Sequence, residues 1–130
     1  MKYHILDTHA LVWFIEDNAK LSQKAKDAIL DSRSKKVISV IVLAEIKFLA
    51  NKNRFQPKFE HILAFIENDP TCLIYPMDLN IVEKIPENLE IHDGIIAATA
   101  QLFSDLPDSE TLLITKDEKL SQSPTVKTLW

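Results

Sequence analysis

Short apolar runs at Tyr3–Leu6, Val37–Val40, Cys72–Tyr75 and Thr111–Ile114 are separated by stretches of helical periodicity, and this alternation constrains the fold more than any other feature of the chain. A strand that is apolar on both sides must be covered on both sides. The runs therefore read as buried strands of a mostly parallel sheet with helices on each face, an α/β fold of three layers, α/β/α. Thr125–Leu129 is a weaker fifth strand. Between the strands, Ser22 begins a helix whose inward stripe is Ala25, Ala28 and Ile29, and Pro57 suits the first turn of another carrying Phe59, Ile62, Leu63 and Ile66. Asp78 is placed to cap a short helix before Pro86, and Asp93 to open the helix IIAATAQLF. No repeat, long linker or low-complexity segment interrupts the pattern, so residues 1–130 are expected to form a single domain around about five strands.

Composition removes several function classes. A chain of 130 residues with 46% hydrophobic content can bury about two-thirds of its unfolded surface and needs no metal or disulfide to hold it together. Cys72 is the single cysteine; beside Leu73 and Ile74 it reads as a small core residue, and a reducing, cytoplasmic setting is expected. No run approaches the roughly 20 apolar residues of a membrane span, so a soluble, unprocessed protein is expected. Gly94 is the only glycine, which excludes a glycine-rich phosphate loop and a dinucleotide fingerprint, since both need several glycines close together. The net charge of -4 argues against a general phosphate-binding surface, yet a bound divalent cation can supply positive charge locally.

The residue that asks for an explanation is Glu45, the one acid within VISVIVLAEIKFLA. With the helix starting near Ser39 or Val40, Glu45 shares a face with Ile41, Ala44, Phe48 and Leu49, and no base stands three or four residues away. A buried carboxylate without a partner costs several kcal/mol, so a partner is expected from elsewhere in the fold: a basic residue across the core, or a cation. Ligand sites in open parallel sheets form beyond the carboxyl ends of the strands, and three more acids fall there. Asp7 follows the first strand, Asp93 opens a helix after IPENLEIH, and Asp117 follows LLIT. Taken singly, Asp7, Asp93 and Asp117 read as helix caps. Taken together, two carboxylates about 5 Å apart repel by roughly 3 kcal/mol at an effective dielectric near 20, so a cluster needs positive charge inside it. Mg²⁺ or Mn²⁺ suits an all-oxygen site with open water positions, whereas the scattered histidines and lone cysteine give no zinc spacing. A hard cation so held suits hydrolysis of phosphate esters, which is as far as composition and spacing reach.

The segments LDTHALVWFIED, VIVLAEI, IHDGIIAATA, LLITKDEKL and the final VKTLW, in this order, cover nearly the whole chain. In them the protein resembles the PIN-domain ribonucleases, specifically the toxin component of VapBC-type toxin–antitoxin pairs. The resemblance implies a PIN-like sheet of about five parallel strands and metal-dependent cleavage of RNA with Mg²⁺ or Mn²⁺. It further implies a homodimer and inhibition by a cognate antitoxin that covers the cleft. It places the family's metal-binding and catalytic acids on Asp7 within LDTH, Glu45 within LAEI, Asp93 within HDG and Asp117 within TKD, with Thr8 and Thr115 as supporting hydroxyls. Asp7 and Asp93 are expected to meet the metal most directly. Many relatives carry Arg after the third acid, where this chain has Gly94; close packing or an altered RNA or partner contact would account for the change.

Of the basic residues, Lys47, Lys52, Arg54 and Lys58 on one side and Lys116 and Lys119 on the other lie near the expected cleft, either tracking RNA or as a solvated surface. His92 is read first as structural, with phosphate or metal-shell contact as the alternative. Trp13, Phe14 and Trp130 are read as packing residues, with base stacking as the alternative. Two other functions remain open at this point: a catalytically silent binding domain whose acids only cap helices, and another carboxylate-dependent phosphohydrolase. A phosphatase with an aspartyl-phosphate intermediate would want Asp-x-Asp, and here Thr8 and His9 follow Asp7.

Overall fold

A computed structural model describes residues 1–130. Five strands, β1 (Lys2–Leu6), β2 (Ser34–Ser39), β3 (Cys72–Tyr75), β4 (Glu110–Ile114) and β5 (Thr128–Leu129), form one sheet in the order β3-β2-β1-β4-β5. Every pairing is parallel. The connections carry α1 (Thr8–Ile15) and α2 (Gln23–Leu30), α3 (Val40–Asn51) and α4 (Phe59–Glu67), α5 (Leu79–Lys84) and α6 (Ile91–Ser104), then α7 (Glu118–Ser121). The result is the three-layer α/β/α arrangement expected from the alternation of apolar runs. No helix is long and apolar enough to cross a membrane.

Alternate residues of β1 show how both faces are covered. Tyr3 turns to α6, its ring 4.8 Å from Phe103, which also meets Tyr75 of β3 at 5.3 Å. His4 turns the other way, its Nδ1 2.8 Å from the Ala28 carbonyl of α2. Because neither face of the central strands is wet, Ile5, Leu6, Val37, Ile38, Leu113 and Ile114 are all buried, and the strands read as continuous apolar runs.

Side-chain caps set where helices begin. Ser22 accepts from Ala25 N at 3.1 Å and Asp78 from Ile81 N at 3.0 Å, and Ser39 caps α3, which pins the strand-to-helix switch where the apolar pattern puts it. Several expectations are corrected. Pro57 precedes the cap residue Lys58, so α4 starts later than the first-turn proline implied. The fifth strand is only Thr128–Leu129. Cys72 is half-buried, not a core residue, because β3 is an edge strand. Burial still pushes its thiol up to about 11, which keeps it protonated and unreactive at neutral pH. The most buried face of α3 is Val42, Leu43 and Ile46; of the face chosen from the sequence, Ala44 is exposed and Phe48 is 58% exposed, while Ile41, Glu45 and Leu49 are half-buried, with Glu45 turned to the cleft. A helix apolar almost all round carries no periodic signal to say which side meets the sheet.

Candidate active site

The strand order reverses between β1 and β4, so the loops leaving their carboxyl ends diverge and leave a crevice. Asp7 stands at the end of β1, and Thr115 and Asp117 follow β4. Glu45 comes in from the second turn of α3 and Asp93 from the first turn of α6. All four acids line one cavity of about 400 Å³, together with Thr8, His9, Trp13, Ile96 and Lys116.

A hydroxyl relay fixes the floor of this crevice. The Asp117 N–H donates to Thr115 Oγ1 at 3.0 Å, and the Thr115 hydroxyl donates in turn to Asp7 Oδ2. Asp7 Oδ1 accepts from Ala10 N at 2.8 Å and so caps α1. Thr115 is 1% exposed. Thr115→Val should therefore cost about 1–3 kcal/mol, because Asp7 Oδ2 and the Asp117 N–H both lose a partner. Urea denaturation midpoints of the variant and the parent would measure this, and equal midpoints would show that the relay carries no stability.

Burial pushes the Asp7 carboxyl above its ordinary range, against the opposing hydrogen bonds from Thr115 and Ala10. Burial also raises Asp93, followed by repulsion from Asp117, Glu90, Glu45 and Asp7. The expectation that Asp93 opens its helix is corrected: Glu90 occupies the cap position and Asp93 is the third residue of α6. With no cap to supply, the Asp93 side chain has no hydrogen-bond role in α6 to explain it. Asp117 does cap, its Oδ1 accepting from Lys119 N at 2.7 Å.

Glu45 is less withdrawn than its apolar surroundings suggested, with its side chain 24% exposed, and its Oε2 lies 3.6 Å from Nδ1 of the half-exposed His92. The nearest basic group is thus a histidine at the rim and not a base across the core. The truly withdrawn charge is Lys36, 5% exposed, whose ammonium donates to the carbonyls of Asp31 and Ser34 and to Thr71 Oγ1. Among the basic residues expected at the cleft, Lys116 lines it; Lys47 and Lys52 lie over the rings of Phe59 and Phe48. Glu90 was missed as a further acid near Asp93, although three residues before it on a helix is the same side. His9 and the cavity-facing position of Trp13 were also missed as wall residues.

Gly94 is explained by packing. A Cβ there would lie 2.9 Å from Ile85 Cγ2, the end of α5 pressing against the first turn of α6.

The donor set suits a hard cation. Four carboxylates face the same space, their mutual repulsion is felt at Asp93, and the buried Thr8 Oγ1 in the same wall lacks a hydrogen-bond partner. In this arrangement no three of these groups are drawn tightly enough together to close on one ion. Rotation of half-buried side chains such as Asp93 and Glu45 would be needed to close the site.

The sequence matches the family described as PIN domain over residues 4–124, a span that contains all four acids. The fold is similar to that of VapBC2 from Rickettsia felis bound to a DNA fragment from their promoter, with TM-score 0.70, 19% identity, and coverage of 99% of this chain and 98% of that one. It is also similar to a toxin–antitoxin complex from Klebsiella pneumoniae, with TM-score 0.63, 24% identity and coverage of 95% and 94%. A third similar structure is VapBC-1 from nontypeable Haemophilus influenzae, with TM-score 0.64, 20% identity and coverage of 99% and 97%. No curated protein matches the chain.

Proposed function

Because the chain belongs to the PIN domain family, we propose that it is a metal-dependent endoribonuclease acting as the toxin of a toxin–antitoxin pair. The observation that carries the reading is the convergence of Asp7, Glu45, Asp93 and Asp117, from four separate segments, on one cavity at the point where the strand order reverses. A Mg²⁺ or Mn²⁺ ion bound there would offset their repulsion, lower the pKa of a bound water and neutralise charge on the phosphate under attack.

Within this reading each residue has a separate task. Asp7 and Asp93 hold the ion most directly. Asp7 is pre-oriented by Thr115 and Ala10, so its carboxylate needs little reorganisation to bind. Glu45 and Asp117 complete the pocket and orient water. Thr8 supplies a free hydroxyl in the wall. Lys116, exposed at the rim, is placed to meet the RNA backbone. A cognate antitoxin would silence the site by covering the cleft, and a homodimer is the assembly the family implies; the similarity to VapBC complexes supports the antitoxin.

The decisive measurement is cleavage of RNA in Mg²⁺ or Mn²⁺ by the wild type, Asp7→Ala and Asp93→Ala. Equal activity in all three, or activity that survives chelation, overturns the proposal. Glu45→Gln should weaken Mn²⁺ binding and cleavage by roughly 10- to 100-fold while the fold persists. Unchanged Mn²⁺ affinity with a lowered melting temperature would instead make Glu45 half of a structural pair with His92. A catalytically silent domain has in its favour that Asp7 and Asp117 already cap α1 and α7. Calorimetric titration with Mn²⁺ separates the two, since carboxylates used only as caps give no saturable binding.

A further inference from the structure

The cavity that holds the acids is also walled by two rings, His9 and Trp13. They stand four residues apart on α1, which begins directly after Asp7, so they share the helix face that opens on the crevice. Their ring centroids are 5.2 Å apart at an interplanar angle of 51°. The pair is braced from outside: Trp130 meets Trp13 edge-on at 5.8 Å, Phe55 meets His9 edge-on at 6.3 Å, and Lys20 Nζ lies 5.7 Å over the Trp13 ring. His9 is nevertheless exposed, between the buried Thr8 and Ala10, and Trp13 is only half-buried.

Trp13 packs against the core on one side, but packing does not explain why both rings also face the acidic cavity. A core role would withdraw both rings; His9 alone could donate to a phosphate, but the indole face of Trp13 beside it offers a phosphate no hydrogen-bonding group, so the two together do not make an anion site. The part of an RNA substrate that such a wall suits is the flat face of a base. We propose that His9 and Trp13 seat the nucleobase next to the scissile phosphate, and so set where along the strand the carboxylates act; the proposal rests on the nuclease reading of the acidic cavity. Because the rings are held by Trp130, Phe55 and Lys20, the seat is in place before substrate arrives, and little ordering is needed on binding. Stacking uses the π-face that every base has, so the seat tolerates base identity but requires an unpaired nucleotide, since both faces of a duplex base are already covered.

The test reads binding and cleavage separately. A fluorescein-labelled single-stranded RNA is titrated in Mg²⁺ into the cleavage-impaired Asp93→Asn protein, alone and combined with His9→Ala or His9→Phe. The strand is made with bases throughout and with an abasic nucleotide at each position in turn. His9→Ala should weaken binding of the intact strand by roughly 5- to 100-fold, as expected for loss of one base stack. His9→Phe should restore most of it. With the abasic nucleotide at one particular position, the His9→Ala substitution should make no further difference to binding. Trp13→Leu should behave like His9→Ala; His9 is the cleaner probe because it is exposed and its replacement should lower the melting temperature less than that of the half-buried Trp13. Unchanged binding in His9→Ala overturns the proposal, as does a failure of Phe to rescue or an abasic penalty that is the same with and without His9→Ala at every position. If the wild type cuts RNA but the abasic scan shows no coupling to His9, the seat falls and the nuclease reading stands. If abasic-sensitive binding persists while the wild type cuts nothing, the nuclease reading falls alone, and loss of both binding and cleavage overturns both.

Discussion

Asp93→Asn should reduce Mn²⁺-dependent RNA cleavage by roughly a hundredfold or more and, in the absence of metal, raise the melting temperature. The first effect follows from removing a charged ligand from the proposed ion site. The second follows from the direction of the Asp93 shift. Its carboxyl is raised by burial and then by Asp117, Glu90, Glu45 and Asp7, so the folded protein holds this proton more tightly than the unfolded chain does. The unfavourable contribution of the ionised group is then absent below the ordinary carboxylate range. It grows as pH climbs from that range through the raised value, and is complete at neutral pH. An acid in the first turn of α6 also gains about 0.3–1 kcal/mol from the helix dipole, but the net upward shift means that burial and repulsion outweigh it. Asparagine removes the charge, so the metal-free variant should be the more stable protein at pH 7, and the difference should vanish below about pH 4.

Metal should reverse the order. If the proposed ion binds the folded state alone, it would stabilise the wild type by about 2.7 kcal/mol at a hundredfold excess over Kd, and the variant should lose most of that gain. Thermal melts with and without Mn²⁺, at neutral and acidic pH, check both halves. A metal-free melting temperature that falls, with an unchanged Mn²⁺ shift, would identify Asp93 as a helix-terminus acid and nothing more.

Gly94→Arg, which installs the residue the family resemblance leads one to expect at this place, should destabilise the protein by about 2–3 kcal/mol, at the upper part of the range for overpacking a well-filled site. Gly94 is buried, and the first carbon of any side chain would stand 2.9 Å from Ile85 Cγ2. Ile85 packs with Ile81, Ile95 and Ala98, and its β-branch leaves it little rotamer freedom with which to yield. Gly94→Ala isolates the contact: the same clash is set against a gain of about 1 kcal/mol in helix propensity. In an Ile85→Ala background the clash is gone, and Gly94→Ala should become stabilising by about 1 kcal/mol. Urea midpoints for the four members of the cycle measure the coupling. If Gly94→Ala stabilises the protein as much with Ile85 in place as in the Ile85→Ala background, the close approach has no energetic weight, and an altered contact with RNA or a partner becomes the better account of the glycine.

Much of the architecture is legible without coordinates because it rests on local rules. A run such as Cys72–Tyr75 has no polar side to turn to water and so reads as a strand, although its place at the sheet edge leaves it half-buried with Leu73 exposed, not buried as expected; parallel pairing follows from the helices between such runs. Ser22, Ser39 and Asp78 mark helix starts because a short oxygen-bearing side chain satisfies an amide two or three residues on. Even the common address of Asp7 and Asp117 is foreseeable, since each follows a strand and parallel strands end on the same side of a sheet.

Other features depend on residues far apart in the chain. Thr115 reaches Asp7 across 108 positions, and only the pairing of β1 with β4 brings them together. The inward side of α3 is chosen by the helices and sheet packed around it, so Val42 and Ile46 are buried while Phe48 is left out. The same choice places Glu45 at the rim beside His92 rather than in the core. Lys36 shows the converse, because a lysine in a strand looks exposed until a loop from Thr71 closes over it. Local chemistry was enough to mark the strands, most of the caps and the four acids. Which faces turn inward and which charges meet were decided by tertiary packing, because each depends on what a distant segment brings to the other side.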